Sequence, residues 1–300
     1  MKRLEKKALV VLLTFITALA ISAENQFGSI RRIGLEQGLP NATVPDIAQD
    51  TQGFLWFATK QGLSRFDGQR FVTYNTANSS LSGNELNTIL VDPKRPWIWV
   101  GTERDGLNVF DYEKRIFRTF KHDVNNRSSI LSNEITHIAL DIHKKGLWIA
   151  TYRSGIDYYD FDKDQFIPFT PQTIKGMPAD YIWAVAQHPQ GSLYIGYLKS
   201  GLTILSLRDQ KVSRFIHNPS NPTSIPNNEI LCLFFDPKGN VWVGTRDGLA
   251  LFNPSTGQFR SFRHSDKDAN SILSNQIYGI SYKAPNELWV TCRMRGVSVL

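Results

Sequence analysis

The side chains with the clearest chemical potential in this sequence are basic and aromatic, and they recur at one kind of place. Six short stretches read Lys60-Gln61, Glu103-Arg104-Asp105, Tyr152-Arg153-Ser154, Tyr197-Leu198-Lys199-Ser200, Arg246-Asp247 and Arg293-Met294-Arg295. Each carries at least one Lys or Arg, and only two carry acids. A guanidinium forks a carboxylate or sulfate with two hydrogen bonds, and an aromatic face covers the C–H surface of a sugar. Brought to one spot, Arg104, Tyr152, Arg153, Tyr197, Lys199, Arg246, Arg293 and Arg295 would suit a hydroxyl-rich or carboxylate-bearing ligand. The competing reading is structural: these arginines cap backbone carbonyls or pair with acids such as Asp247.

Catalytic groupings are sparse. Of six histidines, His122, His217 and His264 share one slot, as Phe120-Lys121-His122, Phe215-Ile216-His217 and Phe262-Arg263-His264. A residue repeated in this way serves a repeated turn more readily than one shared site. No His-x-x-x-His or Cys-x-x-Cys pair suggests a metal, and no nucleophile elbow or phosphate loop is present. Asp50, Asp92 and Asp236 also recur in register, each opening a tight turn that an Asp side chain caps.

The elements that must position these groups are fixed by an internal repeat. The phrase reads Leu55-Trp56-Phe57-Ala58-Thr59, Ile98-Trp99-Val100-Gly101-Thr102, Leu147-Trp148-Ile149-Ala150-Thr151, Leu193-Tyr194-Ile195-Gly196-Tyr197, Val241-Trp242-Val243-Gly244-Thr245 and Leu288-Trp289-Val290-Thr291-Cys292. Successive aromatic positions, from Trp56 to Trp289, are 43, 49, 46, 48 and 47 residues apart. A short apolar segment and a turn precede each copy. A loop ending in Gly, a third apolar segment and an aromatic–polar fourth segment follow, as in Phe117-Arg118-Thr119-Phe120.

Four short β segments per unit, with no helical periodicity, make one four-stranded antiparallel blade. Blades arranged around an axis bury their aromatics against one another and leave only short edges, so an all-β propeller is expected. The blades are expected over roughly 39–75, 81–121, 129–170, 177–216, 224–263 and 271–300. The sixth unit ends in its third strand, and Ser29-Ile30-Arg31-Arg32-Ile33 resembles a fourth strand. That segment either closes a six-bladed ring, or the chain is the opening part of a seven-bladed propeller; an end in mid-strand favours truncation.

With 41% apolar, 12% aromatic and 20% charged residues, the 300-residue chain is neither disordered nor a multi-span membrane protein. The net charge of +7 is inflated by Lys2, Arg3, Lys6 and Lys7, and the remaining excess is too mild to call for nucleic acid. That basic start, the apolar run Ala8–Ile21 and the small residues after it read as an export signal over 1–23, cleaved after Ala20 or Ala23. The propeller then occupies 24–300. Cys232 and Cys292 fall in different slots of adjacent units and are expected as separate buried thiols.

The assembled unit, with Gly239-Asn240-Val241-Trp242-Val243-Gly244-Thr245 and Asp247-Gly248-Leu249, resembles the two-component regulator propeller repeat. The likeness covers residues 27–300, with blade four departing most at Tyr194 and Asp180-Tyr181-Ile182. The resemblance implies the periplasmic sensor region of a hybrid histidine kinase, with seven-bladed propellers, a β-sandwich, a membrane helix and a kinase as further parts. It also implies recognition of glycan-derived oligosaccharides. No kinase segment is read in these 300 residues, so the chain is expected to bind without catalysing, with no cofactor or metal; homodimerisation stays open. The alternatives are a lyase similar to streptogramin lyase, whose propellers share Gly-Asn-Val-Trp-type repeats, and a protein-binding scaffold.

Overall fold

In the computed structural model, which describes residues 33–283 and 286–300, antiparallel strands form six sheets in simple meander order. Blade one holds β1 (Asp46–Gln49), β2 (Leu55–Thr59), β3 (Gly62–Phe66) and β4 (Phe71–Tyr74). Blade two holds β5 (Leu86–Val91), β6 (Trp97–Thr102), β7 (Leu107–Asp111) and β8 (Ile116–Phe120). Blade three holds β9 (Ile135–Leu140), β10 (Gly146–Thr151), β11 (Ile156–Asp160) and β12 (Gln165–Phe169). Blade four holds β13 (Ile182–Gln187), β14 (Ser192–Tyr197), β15 (Leu202–Ser206) and β16 (Val212–Phe215). Blade five holds β17 (Ile230–Phe235), β18 (Val241–Thr245), β19 (Gly248–Asn253) and β20 (Gln258–Phe262). Blade six has three strands among the described residues, β21 (Ile277–Lys283), β22 (Glu287–Cys292) and β23 (Gly296–Val299). This is the expected all-β propeller of antiparallel blades, with six blades among the described residues. The first strand of each blade packs against the first strand of the next, from β1 round to β21.

The aromatic of each of the first five phrases locks its blade to the following one. Trp56 sits with Leu81, Leu86, Ile98 and Phe110; Trp99 with Ile130, Ile135, Leu147 and Tyr159; Trp148 with Ile174, Met177, Ile182 and Leu193. Tyr194 does the same with Ile225, Ile230 and Val241, and Trp242 packs on Ile272, Ile277 and Leu288. An aromatic ring buries more area than any aliphatic residue, so one per interface supplies much of the inter-blade cohesion. The turn aspartates orient two of these rings: Trp56 Nε1 donates to Asp50 Oδ2 at 2.7 Å and Trp242 Nε1 to Asp236 Oδ2 at 3.0 Å. Each carboxylate also accepts two backbone N–H groups of its own turn.

The phrase's glycine is dictated by that packing. A Cβ on Gly101 would lie 2.5 Å from Ile135 Cγ2, across the junction between blades two and three. The glycine after the loop has a different reason. Gly201 has φ +73°, a region side-chain-bearing residues rarely adopt, and a Cβ there would meet the Phe215 carbonyl at 2.2 Å.

Packing thins on blade six and on the side of blade one away from blade two. Val297 and Val299 on β23, and Ile47 and Val72 on blade one, stay largely exposed. The expected signal segment 1–23 and residues 29–32 of the expected closing strand lie outside the described residues. Ile33, which is described, packs against Leu39, Phe57 and Phe66 of blade one's outer face.

Candidate functional site

The loops after the phrase leave the equivalent strand end of every blade, and those of the first three blades share one pocket. The residue following β2, β6, β10, β14, β18 and β22 donates its N–H to a carbonyl just before its own blade's first strand: Lys60 to Thr43, Glu103 to Glu85, Tyr152 to Glu134, Leu198 to Tyr181, Arg246 to Glu229, Arg293 to Gln276. This repeated bond holds two side chains per blade side by side at the rim. Between blades, Asn133, Asn228 and Asn275 lock the rim by accepting the N–H of Gly106, Gly201 and Gly248 on their carbonyls. Their side-chain oxygens accept the N–H of His122, His217 and His264.

The three repeated histidines are structural. Each Nδ1 lies 2.7–2.8 Å from the carbonyl oxygen of Ile130, Ile225 or Ile272, pinning the buried isoleucine that precedes the next blade.

Pairing the loops with the strand starts changes their charge. Glutamates of the Asn-Glu-Ile segments, unread in the sequence as site residues, stand beside the basic side chains. Arg246 Nη1 binds Glu229 Oε1 at 2.7 Å, which holds the guanidinium above its ordinary pKa. Lys60 Nζ binds Glu103 Oε2 at 2.8 Å across the first blade junction, and this hydrogen bond pulls the Glu103 carboxyl down. Arg293 Nη1 donates to Gln276 Oε1 at 3.2 Å. Arg104 is three-quarters exposed and only 3.7 Å from Glu103, and Arg295 is exposed.

Tyr197 departs from the expected set. It ends β14 in the slot that Thr59, Thr102, Thr151 and Thr245 occupy elsewhere, and each of those hydroxyls donates to a loop carbonyl at 2.8 Å. Tyr197 is fully buried in the core between blades three and four, where burial pushes its phenol pKa up. It fills space there and does not reach the rim.

The other blade-three and blade-four residues converge. Tyr152 and Tyr181 stack with centroids 4.6 Å apart. Arg153 lies over both rings, at 5.6 and 5.0 Å, and donates to the Tyr181 hydroxyl at 3.3 Å. Lys199 Nζ lies 5.3 Å from the Tyr181 ring. Asp180, one of blade four's departures from the repeat, fastens the 199–200 loop by accepting from Lys199 N–H and Ser200 Oγ.

A second set of rim residues escaped the sequence reading. In blades two to six the first strand carries a β-bulge, placing Asn87, Thr136, Trp183, Leu231 and Tyr278 out of register with their partner strands. A bulge re-aims one side chain without disturbing its neighbours' alternation. Asn87, Thr136 and the exposed indole of Trp183 therefore reach a pocket of about 380 Å³ shared by the first four blades. Lys60, Glu103, Arg104, Glu134 and Tyr152 complete its wall. Trp183 was detectable in principle, as a tryptophan outside the repeated phrase and directly after a core isoleucine.

Lower in the channel wall, Asp46 accepts from Ile89 N–H at 2.9 Å and from Thr88 Oγ1 at 3.2 Å. Burial raises its pKa and lowers that of His137, which lies on β9 of blade three. Cys232 and Cys292 are separate thiols, as expected, and burial drives the Cys232 thiol to about 12.

Comparison with known proteins follows the same repeat. The family model described as two component regulator propeller matches residues 38–61 and 224–247. This chain carries two-component regulator propeller repeats. Among solved structures, this regulator propeller is 38% identical to the extracellular domain assigned to the hybrid two component system BT3049 from B. thetaiotaomicron. That match has a TM-score of 0.80 and covers 90% of this chain and 35% of that one. The extracellular domain of BT4673 from the same organism shares the fold at 22% identity and a TM-score of 0.69, with 91% and 37% covered. Virginiamycin B lyase from Staphylococcus aureus shares it at 14% identity and a TM-score of 0.68, with 91% and 84% covered. The regulator propeller thus spans about a third of the length of the two extracellular domains (35% and 37%). No curated protein matches it by sequence.

Proposed function

We propose that this regulator propeller is the exported, ligand-binding part of a two-component sensor, and that its rim recognises a glycan-derived oligosaccharide without chemical change. The observation that carries the reading is the pocket shared by four blades, walled by an exposed indole, one tyrosine ring and charged side chains. An indole face excludes water from the apolar face of a sugar ring, while charged and amide groups bind its hydroxyls. The 38% identity to a two-component extracellular domain supports the signalling context. In this reading the export signal over 1–23 delivers the chain to the periplasm. Further blades, a β-sandwich, a membrane helix and a kinase would supply transmission, and Arg153 and Lys199 would flank the ligand. Among the described residues no helix is long and apolar enough to cross a membrane. The likeness to virginiamycin B lyase is one of fold, and no described grouping at the rim favours lyase chemistry over binding.

The test is a thermal-shift and calorimetric screen of the purified chain against neutral and acidic oligosaccharides. A binder should raise Tm, and Trp183→Ala should abolish the shift while leaving the unliganded Tm within a degree or two, because that ring packs little of the core. If no oligosaccharide shifts Tm, or if Trp183→Ala binds as tightly as the parent, the reading falls.

A further inference from the structure

The rim is chemically divided, and the division assigns its enclosed part a substrate class. On the side of blades one to three, the single lysine in the pocket wall is already committed. Lys60 Nζ touches both Glu103 Oε2 and Asn87 Oδ1 at 2.8 Å, so its charge is neutralised and two of its three donors are used. Arg104, the other cation of the wall, is three-quarters exposed and lies 3.7 Å from Glu103 Oε1. Glu134, on the same wall, makes no ion pair among the described residues, and Thr136, Tyr152 and Trp183 line the pocket with it. Thr136 Oγ1 is spent on the Ala150 carbonyl at 3.1 Å. The carboxylate of this wall without an ion-pair partner among the described residues is therefore that of Glu134, an acceptor-only group lining the same pocket as the Trp183 indole.

We propose that this pocket is a subsite for an uncharged, hydroxyl-bearing sugar ring, and that Glu134 is its specificity-determining residue. The proposal rests on the binding role given above. Hydroxyl groups donate to the carboxylate, and charge-assisted bonds of that kind are roughly twice as strong as neutral ones. A uronate or sulfated ring placed here instead meets the like charge of Glu134 in a partly desolvated wall, where the two cations of the lining, Lys60 and Arg104, both lie against Glu103. An anionic unit elsewhere on the same oligosaccharide is compatible with this assignment, because Arg153 and Lys199, over the Tyr181 ring, and Arg293 on blade six lie outside the pocket lining.

The experiment is a printed glycan array of neutral and acidic oligosaccharides probed with the parent chain, Glu134→Gln and Trp183→Ala, with calorimetry on the binders. The parent is expected to select ligands containing at least one uncharged residue. Glu134→Gln should narrow the preference for a neutral ligand over its carboxylated counterpart about tenfold, at unchanged Tm. Selection of fully acidic ligands by the parent, or an unaltered preference in Glu134→Gln, would overturn the subsite assignment and leave the sensor reading intact. Absence of any binder on the array would overturn both.

Discussion

Asp157 tests the electrostatics of the blade interior. It lies fully buried on β11, where its Oδ2 accepts the Leu131 N–H at 2.8 Å and its Oδ1 has no partner. The equivalent residue of blade two, Asn108, accepts from the hydroxyl of Thr119, which sits directly across the strand pair. In blade three the cross-strand residue is Pro168, which has no donor to offer. Burial accordingly raises the Asp157 pKa from 3.8 to about 7. For a carboxyl raised in the folded state, the stabilising contribution is complete below 3.8, the unfolded value, and is lost as pH rises through 7, the folded value. Each pH unit in that window costs about 1.4 kcal/mol, so stability should fall by about 2 kcal/mol between pH 5.5 and 7. Asp157→Asn keeps the acceptor for Leu131 but cannot ionise, and Pro168→Thr restores the missing donor. Urea denaturation of the three proteins across that range, followed by tryptophan fluorescence, measures the slope. Asp46 contributes in the same direction and the low-pKa His137 in the opposite one, so the informative quantity is parent minus variant. If Asp157→Asn keeps the full slope of the parent, the argument that an orphaned buried carboxylate governs this pH range is wrong.

Other expectations follow from packing and the rim. Trp99→Ala should cost about 3–5 kcal/mol, because the ring is buried between blades two and three, whereas Trp289→Ala on the thinly packed sixth blade should cost distinctly less; equal losses in chemical denaturation would refute the graded packing. Gly101→Ala must push a methyl into Ile135 and should destabilise by about 1–3 kcal/mol, read as a lower Tm. Native Cys232 should resist iodoacetamide until the protein is unfolded, since its thiol is driven to about 12, and intact mass should not change on reduction. Replacing Arg104, Arg153 and Arg246 together should weaken oligosaccharide binding with little change in Tm, given their exposure; a large drop in Tm would favour a purely structural role for these arginines.

Sequence and structure agree where a residue's role repeats and part where it is local. The phrase aromatics, the loop glycines and the turn aspartates recur because every blade solves the same packing and hydrogen-bonding problem, so their spacing announces the propeller. The rim loops were legible for the same reason. Tyr197 misled because an aromatic at the end of a strand reads as part of the loop, and only the buried slot shared with Thr59 or Thr245 shows otherwise. Glu134 and Glu229 were hidden because the segment before a strand looks like a structural preface. The backbone bond from the next strand is what carries it to the rim. Trp183 was hidden by the bulge, which spends one residue outside the two-residue alternation from which strands are read.

That extra residue separates two demands that strands ordinarily couple. In a regular strand, changing one side chain's direction means slipping the register and turning the whole hydrophobic set inside out. Here each inner strand from blade two onward carries a single position released from that constraint. Such a scaffold could exchange Asn87, Thr136, Trp183 or Tyr278 for other residues, retuning what it recognises while its blades stay as they were.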